Sequence, residues 1–309
     1  MAEQKVYNWG IISCGDISFD FANALLTNKR CNIIACASRN QTSSNAFAKK
    51  FGIPLENAYP NYKDIMKNKN IDILYIGCIH LNHYKTTLLG LHHNKHILCE
   101  KPATMNMKQL NHVLKLAKQK NKFYMEGLWT KFFPVINQAK SWIKDGKIGN
   151  IRTVSSNFGL NLALERKNNP NSWKWNNKYG GGIFLRLGMY CVAMCVMLYG
   201  IQMPKEIKAL ANMDKQGNVD ANVYAMLKYD DNKYGVMYTT MENETTNDLL
   251  IIGDKGTIKV FGYFHAPTKI RLDNNDGSIT REFPLKTECK YKMKYRNGTG
   301  FIYEIKGVI

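Results

Sequence analysis

Three short stretches hold residue types at spacings suited to chemistry. In the first, Gly10 is followed by Ser13, Cys14, Gly15, Asp16, Ile17 and Ser18, a small-residue turn between an apolar, β-prone run and a helical pattern. Such a turn lets the main chain approach a pyrophosphate, whose charge the N-terminus of the next helix receives. Of the three glycine positions of that fingerprint only Gly15 is glycine, with Ser13 and Ser18 at the others, so an ordinary tight turn is the competing reading. In the second stretch, Ser38 and Arg39 end the following strand, where a carboxylate would bond the ribose 2′-hydroxyl of NAD. A guanidinium there suits the 2′-phosphate of NADP instead, which makes NADP(H) the expected cofactor and NAD(H) the alternative. The bland reading of Arg39 is a solvated loop charge. In the third, Glu100, Lys101 and Pro102 follow a strand, at the end of an α/β sheet where ligands bind. The Lys101 ammonium could hydrogen-bond a substrate oxygen or give it a proton, and Pro102 would fix the loop behind it.

These positions need strands to carry them. β-prone runs stand at 6–12, 32–38, 71–76, 97–99 and 123–126, and helical patterns alternate with them, one ending near residue 28 and others at 43–51, 62–67, 84–92 and 107–119. Alternation of this kind implies a doubly wound parallel sheet, hence a Rossmann domain over 1–127. After residue 129 strands follow one another, at 151–158, 206–211, 221–229, 235–242, 249–253, 256–261 and 269–272, joined by turns such as Asp230-Asp231 and 253–256. The fold class is therefore α/β, with a second, α+β domain over 128–309 built on a large, mostly antiparallel open sheet. The apolar stretch 183–199 is short for a membrane span and carries Arg186 near its start, so a buried helix is expected and no membrane partner.

Composition narrows the class further. Among 309 residues, 43 Lys and Arg face 24 Asp and Glu, giving a net charge of +19 that would draw phosphates or nucleic acids. The basic residues are scattered, with no compact block and no zinc-finger spacing, so nucleic acid is not the expected partner. Eight cysteines without a C-x-x-C pair read as buried free thiols in a reducing cytoplasm, and the first ten residues hold no apolar signal-peptide core. His92, His93 and His96 have no third ligand at metal spacing, so no metal site is expected. Trp129, Phe132, Phe133, Trp173 and Trp175 could wall a substrate pocket, with Trp129 the best placed at the domain junction.

The order and separation of four motifs carry a resemblance over nearly the whole chain. The Gly10 to Ser18 turn, then Glu100-Lys101-Pro102, then the phrase 126–134 with Glu126, Trp129 and Pro134, then Gly180-Gly181-Gly182, resemble the glucose-fructose oxidoreductase/inositol dehydrogenase (Gfo/Idh/MocA) family. The phrase 126–134 looks like its dimeric dihydrodiol dehydrogenase branch. The resemblance implies nicotinamide-dependent oxidation or reduction of a polyol, sugar, diol or related carbonyl, and a homodimer formed through the C-terminal sheet. It places the family's lysine on Lys101, the cofactor loop on Ser13 to Ile17, and the nicotinamide-side segment on 77–83, which holds His80 and His83.

After the triple glycine the family presents an Asp and, four residues on, a His or Tyr. Those positions are Arg186 and Tyr190, four apart and so on one helical face, with Tyr190 as the implied acid. Arg186 reverses the local charge, and two readings follow: it binds an anionic substrate group, or the chain is a dinucleotide-binding regulator or structural protein on the same scaffold. Relatives continue past the position of Ile309 through another helix and a short tail, so the second domain is expected to be short at that end.

Overall fold

A computed structural model describes residues 5–309 apart from Lys215, Asp231 and Thr287, so the expected turn residue Asp231 and the first four residues lie outside the described residues. The chain divides into two compact units, Met1–Trp129 with Leu285–Ile309, and Thr130–Pro284. The first junction is close to the expected boundary after residue 127. Residues 285–309, expected in the second domain, fold with the first unit instead.

The first unit is built on β1 (Tyr7–Ile12), α1 (Asp16–Leu25), β2 (Cys31–Ala37), α2 (Gln41–Phe51), β3 (Ala58–Tyr59), β4 (Ile73–Ile76), α3 (His80–His92), β5 (His96–Glu100), α4 (Met107–Gln119) and β6 (Tyr124–Gly127). Its six strands lie in the order β3-β2-β1-β4-β5-β6, all parallel, as the alternation of strands and helices required. Strands buried on both faces must be apolar throughout, and Leu74 and Ile76 face α3 and α4 with Leu91, Val113 and Leu116. Tyr75, between them, points the other way and stacks on Phe21 of α1 at 3.8 Å between centroids. The helix expected over 62–67 is only a 3₁₀ turn at Ile65–Lys67, because the Asn61 side chain accepts the Lys63 and Asp64 amides at 2.9 and 3.0 Å and holds the start as a turn.

The second unit starts with α5 (Pro134–Lys144) and continues through β7 (Ile151–Gly159), α6 (Ala163–Asn168), α7 (Met189–Tyr199), β8 (Glu206–Asp214), β9 (Val219–Lys228), β10 (Tyr234–Thr240), β11 (Leu249–Gly253), β12 (Gly256–Val260), β13 (Lys269–Asn274) and β14 (Gly277–Glu282). Its eight strands run in the order β14-β13-β12-β11-β7-β10-β9-β8 and are antiparallel except for the pair β7 and β10. The mostly antiparallel open sheet is as expected. By length and composition alone, Asn177–Tyr199 is apolar enough to cross a membrane. Here it is broken into a 3₁₀ turn, a π-helical turn at Phe184–Gly188 and α7, which buries Tyr190, Cys191, Met194 and Cys195.

What returns the end of the chain to the first unit is a set of polar latches on α1. The buried Asp20 carboxylate accepts the amides of Lys294 and Tyr295 at 2.7 and 2.8 Å, and Asn23 exchanges hydrogen bonds with the Tyr291 main chain at 2.6 and 3.1 Å. These partners satisfy two polar groups that an apolar helix face otherwise leaves stranded. The segment closes with α8 (Phe301–Val308), whose Phe301 meets Phe21 and the indole of Trp129 at 5.6 and 4.5 Å.

Within α8, Glu304 is 0 % exposed, and neither carboxyl oxygen has a hydrogen-bond partner among the described residues. Burial, then the neighbouring Glu100, push its carboxyl well above the ordinary range. A carboxyl that binds its proton more tightly folded than unfolded costs stability once pH passes the unfolded value of about 4.3, and the cost grows as pH rises. Glu304→Gln should therefore be more stable than the parent by about 1–3 kcal/mol near neutrality, with the gap shrinking to nothing below about pH 4. Thermal melts from pH 4 to 8 check this; a gap that narrows as pH rises contradicts it.

Candidate functional site

In the first unit the site residues gather at the carboxyl ends of the parallel strands. Strand order reverses between β1 and β4, so the chain leaves these neighbours in opposite directions and opens a crevice there. The turn after β1 is held by the Ser13 amide, which donates to Ala37 O at 2.8 Å, and Ser13 adopts φ +75°. Gly15 is the N-cap of α1, no side chain caps that end, and a Cβ added at Gly15 would meet nothing closer than Ser13 Oγ at 3.8 Å. The first amides of α1 thus face open space beside Cys14, Asp16 and Ile17, as a pyrophosphate requires.

At the fingerprint's third position a glycine would let helix and strand come close. Here Ser18 is fully buried, and the room comes from the opposite side: a Cβ at Gly77, just past β4, would lie 2.3 Å from Ser18 Oγ and 2.9 Å from Tyr75 Cε1. The glycine that makes this room lies just past the end of the neighbouring strand. Past β2, Ser38 is buried with its amide donating to Tyr59 O at 3.1 Å, while Arg39 is exposed. Asn40 then caps α2 by accepting the Ser43 amide at 2.8 Å, so Arg39 stands between two anchored residues.

Sequence reading missed Tyr62 in this region. Burial raises its phenol most, the Cys78 thiol adds to this, and the Arg39 charge acts in the other direction. Only an aromatic between turn residues marked it, and that pattern was read as helix.

At β5, Glu100 is buried. Its Oε1 accepts the Tyr75 hydroxyl at 2.8 Å and its Oε2 the Lys101 amide at 3.2 Å. Burial lifts the Glu100 carboxyl above its ordinary range, and the Lys101 charge opposes this most strongly. Behind the turn, Glu126 Oε1 accepts the Ala103 amide at 2.8 Å. On the other side of Lys101, His83 is buried with both ring nitrogens against main-chain carbonyls, and its ring lies 5.8 Å from that of buried His80 at the start of α3. The structure thus brings the turn after β1, Arg39, Glu100, Lys101, His80 and His83 to one end of one sheet. Trp129 also lies in this unit and spends its ring on Phe301.

The second unit places Arg186 and Tyr190 on different supports. Arg186 lies in the π-helical turn, with its guanidinium 5.7 and 6.0 Å from the ring centroids of Trp173 and Trp175. Tyr190 lies in α7, nearly buried, with its ring 5.8 Å from Phe158 and 5.2 Å from His265. The simple helical face expected from their spacing is replaced by a wider turn, a device frequent at functional sites. His265, stacked on Phe158 at 4.6 Å, was missed; it follows Tyr263, whose φ of +49° shows a special loop that no periodic pattern announces. Among the described residues no three His, Cys, Asp or Glu side chains stand where they could hold a metal.

The model of an oxidoreductase family with an NAD-binding Rossmann fold matches residues 7–128, and the GFO/IDH/MocA C-terminal domain matches 136–259. The chain is 33 % identical to trans-1,2-dihydrobenzene-1,2-diol dehydrogenase of Sus scrofa and 31 % identical to that of Danio rerio, over 97 % of this chain and 86 % of each relative. Among solved structures it is similar to KijD10, a 3-ketoreductase from Actinomadura kijaniata in complex with NADP and TDP-benzene, with TM-score 0.83, 19 % identity and coverage of 98 % and 89 %. It is also similar to an inositol dehydrogenase homolog complexed with NAD+ from Azotobacter vinelandii, with TM-score 0.85, 15 % identity and coverage of 98 % and 84 %. At those identities the two structures show the fold alone.

The contact between Ser18 and Gly77 can be tested by itself. Gly77→Ala should cost about 1–3 kcal/mol in thermal melts through overpacking, and Ser18→Gly in the same chain should recover most of it. Equal losses for the single and double variants would show that the two positions do not share the space.

Proposed function

The chain belongs to the GFO/IDH/MocA oxidoreductase family, and from that premise we propose that it is NADP(H)-dependent and acts on a secondary alcohol or carbonyl of a sugar, cyclitol or diol-like molecule. The observation that carries this reading is the uncapped N-terminus of α1 at Gly15, at the same sheet end as Arg39 and Lys101. The residues fit a dinucleotide: Gly15 leaves its side of the turn open, α1 offers free amides to a pyrophosphate, and Arg39 offers several donors to a 2′-phosphate. When bound, the nicotinamide supplies or accepts the hydride.

Lys101 then serves as the group that hydrogen-bonds the reacting oxygen and holds or delivers its proton, with Glu100 behind it accepting its amide. Tyr190 is assigned as the second acid, and Arg186, flanked by Trp173 and Trp175, as the donor to an anionic or strongly polar substrate group. One observation favours the second reading, a dinucleotide-binding regulator: Arg186 stands where the resemblance implies a carboxylate. We also assign the exposed apolar face of β8 and β9 to a second copy of the chain. Leu210, Met213, Tyr224 and Met226 are all exposed there, and Leu210 is 77 % so.

Titration with NADPH and NADH, in the parent and in Arg39→Asp, tests the cofactor. The parent should prefer NADPH, and Arg39→Asp should lose about tenfold or more in NADPH affinity while NADH changes little. Adding neutral, carboxylated and phosphorylated sugars, cyclitols, diols and dicarbonyls then tests the substrate class. Turnover establishes the enzyme reading, binding without turnover favours the regulator, and no binding of either dinucleotide rejects both. For the assembly, Leu210→Glu should convert a dimer to a monomer in sedimentation; a parent that sediments as a monomer contradicts it.

A further inference from the structure

Of the polar groups near Lys101, His83 is one that the proposed chemistry leaves unused. Its ring is fully buried on the first turns of α3, with Nδ1 2.7 Å from Pro102 O and Nε2 2.7 Å from Cys78 O. Cys78 follows β4 and Pro102 follows Lys101, so one imidazole spans two strand-end turns of the same sheet. A neutral imidazole carries one N–H and can donate to only one of those carbonyls, leaving a ring lone pair against an oxygen at the other. An imidazolium donates to both. Burial opposes that charged form most, and the two carbonyls favour it. The charge of Lys101 again opposes it, so the ring titrates below the ordinary histidine range. The other titratable groups beside it are His80 on the same helix and the Cys78 thiol, which burial pushes up to about 12.

We propose that His83 is a positioning residue for Lys101, a strut between the turns after β4 and β5 that is held by one N–H at neutral pH and becomes a two-donor clamp on acidification. Its functional part rests on the reading of Lys101 as the group on the reacting oxygen. The geometry explains why a histidine is used. A leucine would fill the volume and tie neither carbonyl, and a glutamine would tie one without titrating.

Nitrogen-15 spectra of labelled histidine through a pH titration read the ring directly. The His83 ring should gain its second proton below the ordinary histidine range, and Lys101→Met should move that step upward. A ring that titrates at the ordinary value in both proteins overturns the inference without any activity measurement. On a substrate found by the panel, His83→Leu should lower kcat on the order of a hundredfold. Its NADPH Kd should stay within about threefold, because the phosphate turn is untouched. His83→Gln should keep most of kcat and flatten the acid side of the pH profile. If His83→Leu does not fold, the His83→Gln profile and the spectra decide. Lys101→Met separates the two levels: full turnover in that variant defeats the reading of Lys101 itself. Its loss of turnover beside a fully active His83→Leu defeats the His83 inference alone.

Discussion

The reversal of strand order between β1 and β4 is the constraint on which the first unit depends. Parallel neighbours whose connections leave in opposite directions cannot cover their own carboxyl ends, so polar turns converge there with main-chain amides turned outward. Everything placed at that edge must be held from below. Ser13 is pinned to β2, Arg39 stands before a capped helix, and Lys101 follows a glutamate that Tyr75 and the Lys101 amide both hold. The apolar strands supply rigidity, while the hydrogen bonds at their ends supply direction.

Three carboxyls lie beneath that edge, and the structure treats them differently. Glu100 has two donors and a cation beside it, and Glu126 has one amide, whereas Glu304 has no hydrogen-bond partner among the described residues. Burial raises all three carboxyls; donors and the Lys101 charge oppose the rise at Glu100 and Glu126, whereas at Glu304 the Glu100 charge adds to it. The last segment of the chain brings this acid in, held to α1 by Asp20 and Asn23. The far end of the sequence thereby acts on the electrostatics of a turn some two hundred residues earlier.

Much of this was legible in the sequence because local patterns and global fold agree. The alternation from β1 to β6 gave the parallel sheet, Glu100-Lys101-Pro102 fell at a strand end, and the order of the motifs pointed to the family that the comparisons identify. The failures are non-local. Asp20 and Asn23 look like ordinary polar residues of a helix, and only their partners near residue 291 reveal why the last segment leaves the second domain. Gly77 compensates for Ser18 across two strands, which a fingerprint read along one turn does not show. His83 is one histidine among seven, and its two carbonyl partners, Cys78 and Pro102, come from different turns. Tyr62 and His265 sit in irregular segments, where periodicity has nothing to report.

The central claim is that the strand-end crevice binds a nicotinamide dinucleotide and passes its hydride to a carbonyl whose oxygen Lys101 attends. The most direct measurement uses NADPH deuterated at the transferring position, a carbonyl substrate from the panel, and mass analysis of the alcohol formed. The account expects deuterium on the new carbinol carbon with the parent protein and its near-complete loss with Lys101→Met, while NADPH still binds. Alcohol formed without deuterium from either face-labelled cofactor, or undiminished transfer by Lys101→Met, would contradict it.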